Sequence, residues 1–137
     1  MIISRFNPQI TDRLLEGALR ALKEAGVDDE DLTVVSVPGA VEIPGVASRL
    51  APKVDAIVTL GAVVRGETEH FTYVCKAAQE GVLRVALESG KPVIFGVLTT
   101  ESSAQALARA GGEKGHKGYD VARDAVEMAN LYKLLGD

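Results

Sequence analysis

The stretch Val54-Asp55-Ala56-Ile57-Val58-Thr59-Leu60-Gly61-Ala62-Val63-Val64-Arg65-Gly66-Glu67-Thr68-Glu69-His70-Phe71 decides how the rest of the chain is read. Its first half, Val54 to Leu60, is a short run rich in Val, Ile and Leu, which reads as a strand buried on both faces. Gly61 breaks the run and Gly66 breaks it again. Glu67, Thr68 and His70 follow, just ahead of an amphipathic pattern that begins at Phe71. Polar and titratable side chains therefore gather where a buried strand ends and a helix begins. In open α/β sheets that junction is where ligands bind.

The same alternation extends in both directions. Towards the N-terminus, Ile2 and Ile3 read as the end of a first strand. Asn7 suits a helix N-cap and Pro8 the first helical position. Ile10, Leu14, Ala18 and Leu22 recur at helical spacing, and Gly26 is placed to end that helix. After the acidic loop Asp28 to Asp31, Leu32 to Val37 is a second strand that stops at Pro38-Gly39-Ala40. Ile43, Val46, Ala47 and Leu50 give a second helix. Towards the C-terminus, the helix opened by Phe71 runs to Glu88 and closes at Gly90. Val93 to Leu98 is a fourth strand. Ser102 with Gln105 matches a capping box for a helix ending at Gly111-Gly112. A loop over 113–118 precedes a last helix from about Tyr119 to Leu135. Strands alternating with helices imply a three-layer α/β/α sandwich of flavodoxin-like type, one domain over 1–137, built on a four-stranded parallel sheet with right-handed crossovers.

Composition narrows the function. The 137 residues carry 15 Lys and Arg against 19 Asp and Glu, a net charge of −4, with no basic block. That argues against nucleic-acid binding, as does the scarcity of aromatic rings on which bases stack. No apolar segment is long enough to span a bilayer, and the signature of a secretory signal is missing, so no membrane partner is expected. A single cysteine excludes an intrachain disulfide framework and points to the cytoplasm. Dinucleotide and P-loop motifs are absent, and no Cys/His cluster has metal spacing. Cys75 reads as a small core residue.

In a parallel sheet the four strand-to-helix turns share the carboxyl edge. Such turns are polar in any α/β protein, but here they bring Phe6, Glu42 and His70 to one edge. With Thr68 as N-cap, His70 falls in the first turn of its helix. The dipole there favours the neutral imidazole, which can act as a base; a histidine that merely bonds to its own helix end is the plainer alternative. The free amides around Gly66, Glu67 and Thr68 suit an anion such as phosphate, or simply water. Phe6 either staples its helix or covers the face of a ring ligand. Glu42 either complements the helix dipole or accepts hydrogen bonds from a polyol or amine. Arg109 reads as a helix-end cation, and Lys114, His116 and Lys117 as a solvated loop.

Six blocks in order resemble the 6,7-dimethyl-8-ribityllumazine synthase family: SRFN (4–7), LLEGAL (14–19), VPGAVEIP (37–44), GAVVRGETEHFTYV (61–74), KPVIFGVLTT (91–100) and EMANL (127–131). The resemblance covers essentially the whole chain. It implies an enzyme that joins 5-amino-6-(D-ribitylamino)uracil to 3,4-dihydroxy-2-butanone 4-phosphate, releasing phosphate and water without metal or redox cofactor, in riboflavin biosynthesis. It implies that Phe6 stacks on the pyrimidine, that Asn7 contacts substrate, and that Ala40, Val41, Glu42, Ala62, Val63 and Val64 line the ribityl and pyrimidine site. Glu67 and Thr68 would hold the phosphate, with Arg109 as counter-charge and Lys117 nearby. His70 would transfer protons, and Phe95 would complete the site from a neighbouring subunit. The family forms homopentamers, which also close into icosahedral shells.

The chain departs from the family pattern twice. Family members carry further residues before the SRFN block, including a strand that pairs with a neighbour's sheet. Here the sequence opens as though inside a strand, so that segment is expected to be absent or truncated. His116 stands where Asn is common. Two other readings share the fold. A riboflavin synthase of archaeal type needs no phosphate site, which Thr68 and Arg109 argue against. A non-catalytic shell protein has no use for Phe6, Glu42 and His70.

Overall fold

A computed structural model describes residues 1–136. Four parallel strands, β1 (Ile2–Ser4), β2 (Val35–Val37), β3 (Ile57–Val64) and β4 (Val93–Thr100), lie in the order β2-β1-β3-β4. Helices α1 (Pro8–Glu24), α2 (Ile43–Leu50), α3 (His70–Ser89), α4 (Ser103–Ala108) and α5 (Lys117–Leu135) cover them, and a hairpin, β5 (Ala110–Gly112) with β6 (Gly115–His116), precedes α5. The expected α/β architecture with its four-stranded parallel sheet is present.

Alternation along the strands sorts side chains to the two faces. Ile3, Val58, Leu60, Ala62 and Leu98 face α1, α4 and α5, where they meet Leu14, Ala18, Ala106, Val121 and Ala122. Ile2, Ile57, Val93 and Val97 face α2 and α3, against Ile43, Ala47, Ala78 and Val82. Removing each large aliphatic side chain from water contributes about 1.5–3 kcal/mol. Both faces of the central strands are thus covered, which suits the apolar character of β3; its one buried polar side chain, Thr59, donates its hydroxyl to the Ile94 carbonyl at 2.8 Å. Small residues bring α1 and α5 together: a Cβ on Gly118 would fall on the Leu14 backbone, and one on Gly17 would fall on the His116 ring.

Strand limits differ from the sequence reading for a common reason: a strand extends only where a partner runs beside it. Leu32 to Val34 lie outside β2, because β1 offers pairs only from Ile2, opposite Val35. Val54 to Ala56 lie outside β3, which starts opposite Val93. At the other end β3 does not break at Gly61 but continues to Val64, with each residue paired to β4 up to Val64 opposite Thr100. Gly61 answers to a close approach instead. A Cβ there would stand 2.8 Å from the hydroxyl of buried Ser4.

Helix ends follow local chemistry more closely. Gly26, at φ +83°, follows α1 in the left-handed region, with its N–H on the Lys23 carbonyl. Ser102 caps α4 by accepting from the Gln105 N–H at 3.2 Å, and the Gln105 side chain returns to the Glu101 N–H at 2.8 Å. That helix stops at Ala108, short of Gly111, and the expected loop over 113–118 is instead the hairpin and the first residues of α5. Cys75 is half-buried on α3 and not in the core. No described helix is long and apolar enough to cross a membrane.

Candidate functional site

The carboxyl ends of β1, β2 and β3 bring one group of the expected residues together. Beyond β1 the chain turns at Asn7, whose φ of 58° puts a non-glycine residue in the left-handed region. Asn7 precedes α1 as expected, but its side chain does not cap that helix. Its Nδ2 donates to the Ala62 carbonyl at 2.9 Å. Pairing of β1 with β3 ends at Leu60, so the amide of Asn7 takes the place of the missing strand. The turn is thereby tied to the Ala62–Val64 segment.

Phe6 leaves this turn 69% exposed and does not staple α1. Its ring edge lies 3.2 Å from where a Cβ on Gly39 would stand, so Gly39 gives it room. Gly39 begins a single 3-10 turn, Ala40–Glu42, ahead of α2. The Gly39 N–H donates to Glu42 Oε2 at 2.9 Å, which folds the Glu42 carboxylate back beside Phe6. A flat, exposed ring, a carboxylate and the end of a buried strand therefore converge. Such a surface can stack a planar ligand and accept hydrogen bonds from its substituents.

The third turn, Gly66 to Glu69, leads into α3, which packs against the 40–42 turn. Glu67, Thr68 and His70 are all exposed there. The cap is shifted by one residue from expectation. Glu69 occupies the N-cap position and Thr68 Oγ1 accepts from the His70 N–H at 3.3 Å. His70 is the first helical residue and is exposed, which puts it at the positive end of α3.

A second group lies elsewhere on the chain. Arg109 and Lys117, with Lys114 and Asp120, line an open cavity of about 380 Å³ against Val97, Leu98, Thr99 and Thr100. None of Phe6, Glu42, Thr68 or His70 lines it. Arg109 ends α4 and its Nη1 donates to the Gln105 carbonyl at 2.9 Å, as a helix-end cation would. Three cations around one opening nonetheless make a site suited to an anion. Phe95 sits half-buried on the edge strand β4, on the α2 and α3 side.

Sequence reasoning passed over Arg65 and Glu101. They form an ion pair at 2.8 Å across the ends of β3 and β4. The register Val64 opposite Thr100 brings them together, and a sequence carries no local mark of that register.

Comparison with known proteins identifies the family. The family model described as 6,7-dimethyl-8-ribityllumazine synthase matches residues 1–133. A protein of Desulfatibacillum aliphaticivorans named 6,7-dimethyl-8-ribityllumazine synthase is 53% identical over 133 residues, which cover 96% of this chain and 86% of that relative. With a match that spans nearly all of both sheet faces and all four turns, the chain belongs to the 6,7-dimethyl-8-ribityllumazine synthase family.

Proposed function

We propose that the chain condenses 5-amino-6-(D-ribitylamino)uracil with 3,4-dihydroxy-2-butanone 4-phosphate, giving 6,7-dimethyl-8-ribityllumazine, phosphate and water. Family membership supports the reaction. The observation that carries the site assignment is the convergence of Phe6, Gly39 and Glu42, tied through Asn7 to the end of β3. On this reading Phe6 stacks on the pyrimidine. Glu42 accepts from the ribityl hydroxyls or ring substituents, and Ala40, Val41 and Ala62 to Val64 form the floor. Thr68 and the amides around it bind the phosphate of the second substrate, beside Glu67.

The chemistry is imine formation between amine and ketone with loss of a first water, loss of phosphate, and ring closure with loss of a second water. His70 carries protons between these steps. Holding both reactants in one place supplies much of the acceleration, because a bimolecular encounter becomes effectively unimolecular.

The site is proposed to be completed by a second subunit within a homopentamer. Three features support this. Phe6 and Val41 are exposed apolar side chains at the edge of the proposed pocket. The cations Arg109 and Lys117 line a separate cavity of the same chain. The outer face of α3 presents Tyr73, Leu83 and Leu87 to solvent. A neighbour that brings Phe95, Arg109 and Lys117 against Phe6 and His70 would unite the two halves. Closure of pentamers into an icosahedral shell is part of the same proposal by family analogy. So is a cytoplasmic location, supported by the lone cysteine.

The test is to mix both substrates with purified protein and follow lumazine fluorescence and phosphate release against the spontaneous reaction. Acceleration of both signals together establishes the synthase. A rate equal to the spontaneous one refutes it.

A further inference from the structure

The turn from Gly66 to Glu69 carries Thr68 and delivers His70 to α3, yet every residue from Arg65 to His70 is exposed. A turn without buried side chains is held by its polar contacts, and it opens readily where these are few. Its internal bonds are local: the His70 N–H on Thr68 Oγ1, and the Thr72 hydroxyl on the Glu69 carboxylate. Attachment to the rest of the fold passes through Arg65. Its N–H donates to the Thr100 carbonyl at 2.9 Å, at the end of the β3–β4 ladder. Its Nε meets Glu101 Oε2 at 2.8 Å, and its guanidinium lies 4.4 Å from the centroid of the Phe71 ring. Phe71 is the second residue of α3. One side chain thus bridges the end of β4 to the start of α3 across the base of the turn.

We propose that Arg65, anchored by Glu101, is a positioning residue whose stacking on Phe71 fixes the first turn of α3 and with it the placement of His70 and Thr68. The inference rests on the synthase reading of that site. A guanidinium suits the task because it is planar: it stacks through its face while it donates through its edge. A lysine ammonium keeps the charge but not the two-way geometry. Exposed ion pairs contribute little to stability, and the Arg65 and Glu101 side chains are 37% and 62% exposed. Loss of the bridge therefore acts on the geometry of the turn and leaves the fold intact.

The experiment compares wild type, Arg65→Ala, Arg65→Lys and Glu101→Gln by two readouts. In steady-state kinetics, a displacement of roughly one ångström in a positioned group costs on the order of 100-fold. Arg65→Ala is expected to lower kcat by roughly 10- to 100-fold on that scale, with a smaller change in KM for the aminouracil. Arg65→Lys recovers part of the loss, and Glu101→Gln falls between Arg65→Ala and wild type. The second readout, amide hydrogen exchange, needs no substrate. The N–H groups of Thr72 and Tyr73, both bonded to the Glu69 carbonyl, should exchange faster in Arg65→Ala while those of β3 do not change. Wild-type kinetics in Arg65→Ala overturns the proposal. Impaired kinetics with unaltered exchange also overturns it, because Arg65 would then act on substrate directly. If wild type itself does not accelerate the reaction, the synthase reading fails. Exchange then still decides whether Arg65 holds the turn: faster exchange supports that part, and unaltered exchange overturns it.

Discussion

Replacing Asn7 separates two contributions that the structure assigns to one residue. Its backbone sits at φ 58° and ψ 58°, where an L side chain is strained by about 1–2 kcal/mol relative to the right-handed region. Asn tolerates that region better than most residues. Its side chain also donates to the Ala62 carbonyl at 2.9 Å, in a part-buried position where β1 no longer pairs. Such a bond contributes about 0.5–1.5 kcal/mol, and losing it leaves the carbonyl unmet. Asn7→Ala loses both and should destabilise by about 2 kcal/mol. Asn7→Gly loses the bond but not the conformation. The left-handed turn suits glycine, and this relief roughly offsets the extra freedom of glycine in the unfolded chain, about 0.4–1 kcal/mol. A net cost of about 1 kcal/mol remains. Urea unfolding followed by circular dichroism, at one protein concentration so that association enters every variant equally, reads both. With an m-value of about 2 kcal/mol/M, the midpoint should fall by about 1 M for alanine and about 0.5 M for glycine. Equal shifts for the two variants would refute the conformational part, and shifts near zero for both would refute the bond.

Three further outcomes are expected. Gly96→Ala would drive a Cβ onto the Thr59 carbonyl and to 2.8 Å from Val121 Cγ2, so it should cost about 3 kcal/mol, whereas Gly45→Ala, with nothing within 4 Å, should be neutral or stabilising; equal melting temperatures would contradict this. Burial pushes the Cys75 thiol above its ordinary 9.0, while the nearby Arg65 guanidinium opposes the shift. The folded chain then holds the proton to higher pH than the unfolded one, so this group's contribution to stability falls as pH rises above 9.0 through the native value. Alkylation of Cys75 followed by mass spectrometry should show a midpoint above 9.0, and a midpoint at or below it refutes the direction. His70→Ala should slow lumazine formation by roughly 10²- to 10⁴-fold at the chemical step and still leave a rate above the spontaneous one, since orientation remains; complete loss of turnover with folding and binding intact counts against that division of labour.

Several features of the candidate site were legible in sequence because they are local. Phe6 in a turn, Glu42 at a helix start and His70 in a first helical turn need only the spacing of their own segment. Arg109 at a helix end was legible in the same way, and its Nη1 does meet the Gln105 carbonyl as that reading implies. Its place in a cavity with Lys117 was not, because that depends on how α4, the hairpin and α5 fold back onto β4. The cap of α3 lies one residue beyond the sequence expectation: Thr68 Oγ1 accepts from the His70 N–H while the Glu69 carboxylate accepts from the Thr72 hydroxyl, and only the turn geometry makes Glu69 the N-cap.

By itself the sequence determined the order of the four parallel strands and the five helices, the apolar faces of α1 and α3, the helix stops at Gly26 and Gly90, and the family, because these are written in periodicity, in terminal residues and in blocks of identity. Tertiary structure alone decided that β3 runs through Gly61 to Val64, that Asn7 reaches Ala62 and not its own helix, that residues 110–116 pair as a hairpin, and that Arg65 meets both Glu101 and Phe71. Each of these depends on a partner that the register of the sheet or the fold of the chain sets alongside. A backbone group at a strand end bonds to whatever lies beside it, and the identity of that neighbour is fixed only when the sheet closes.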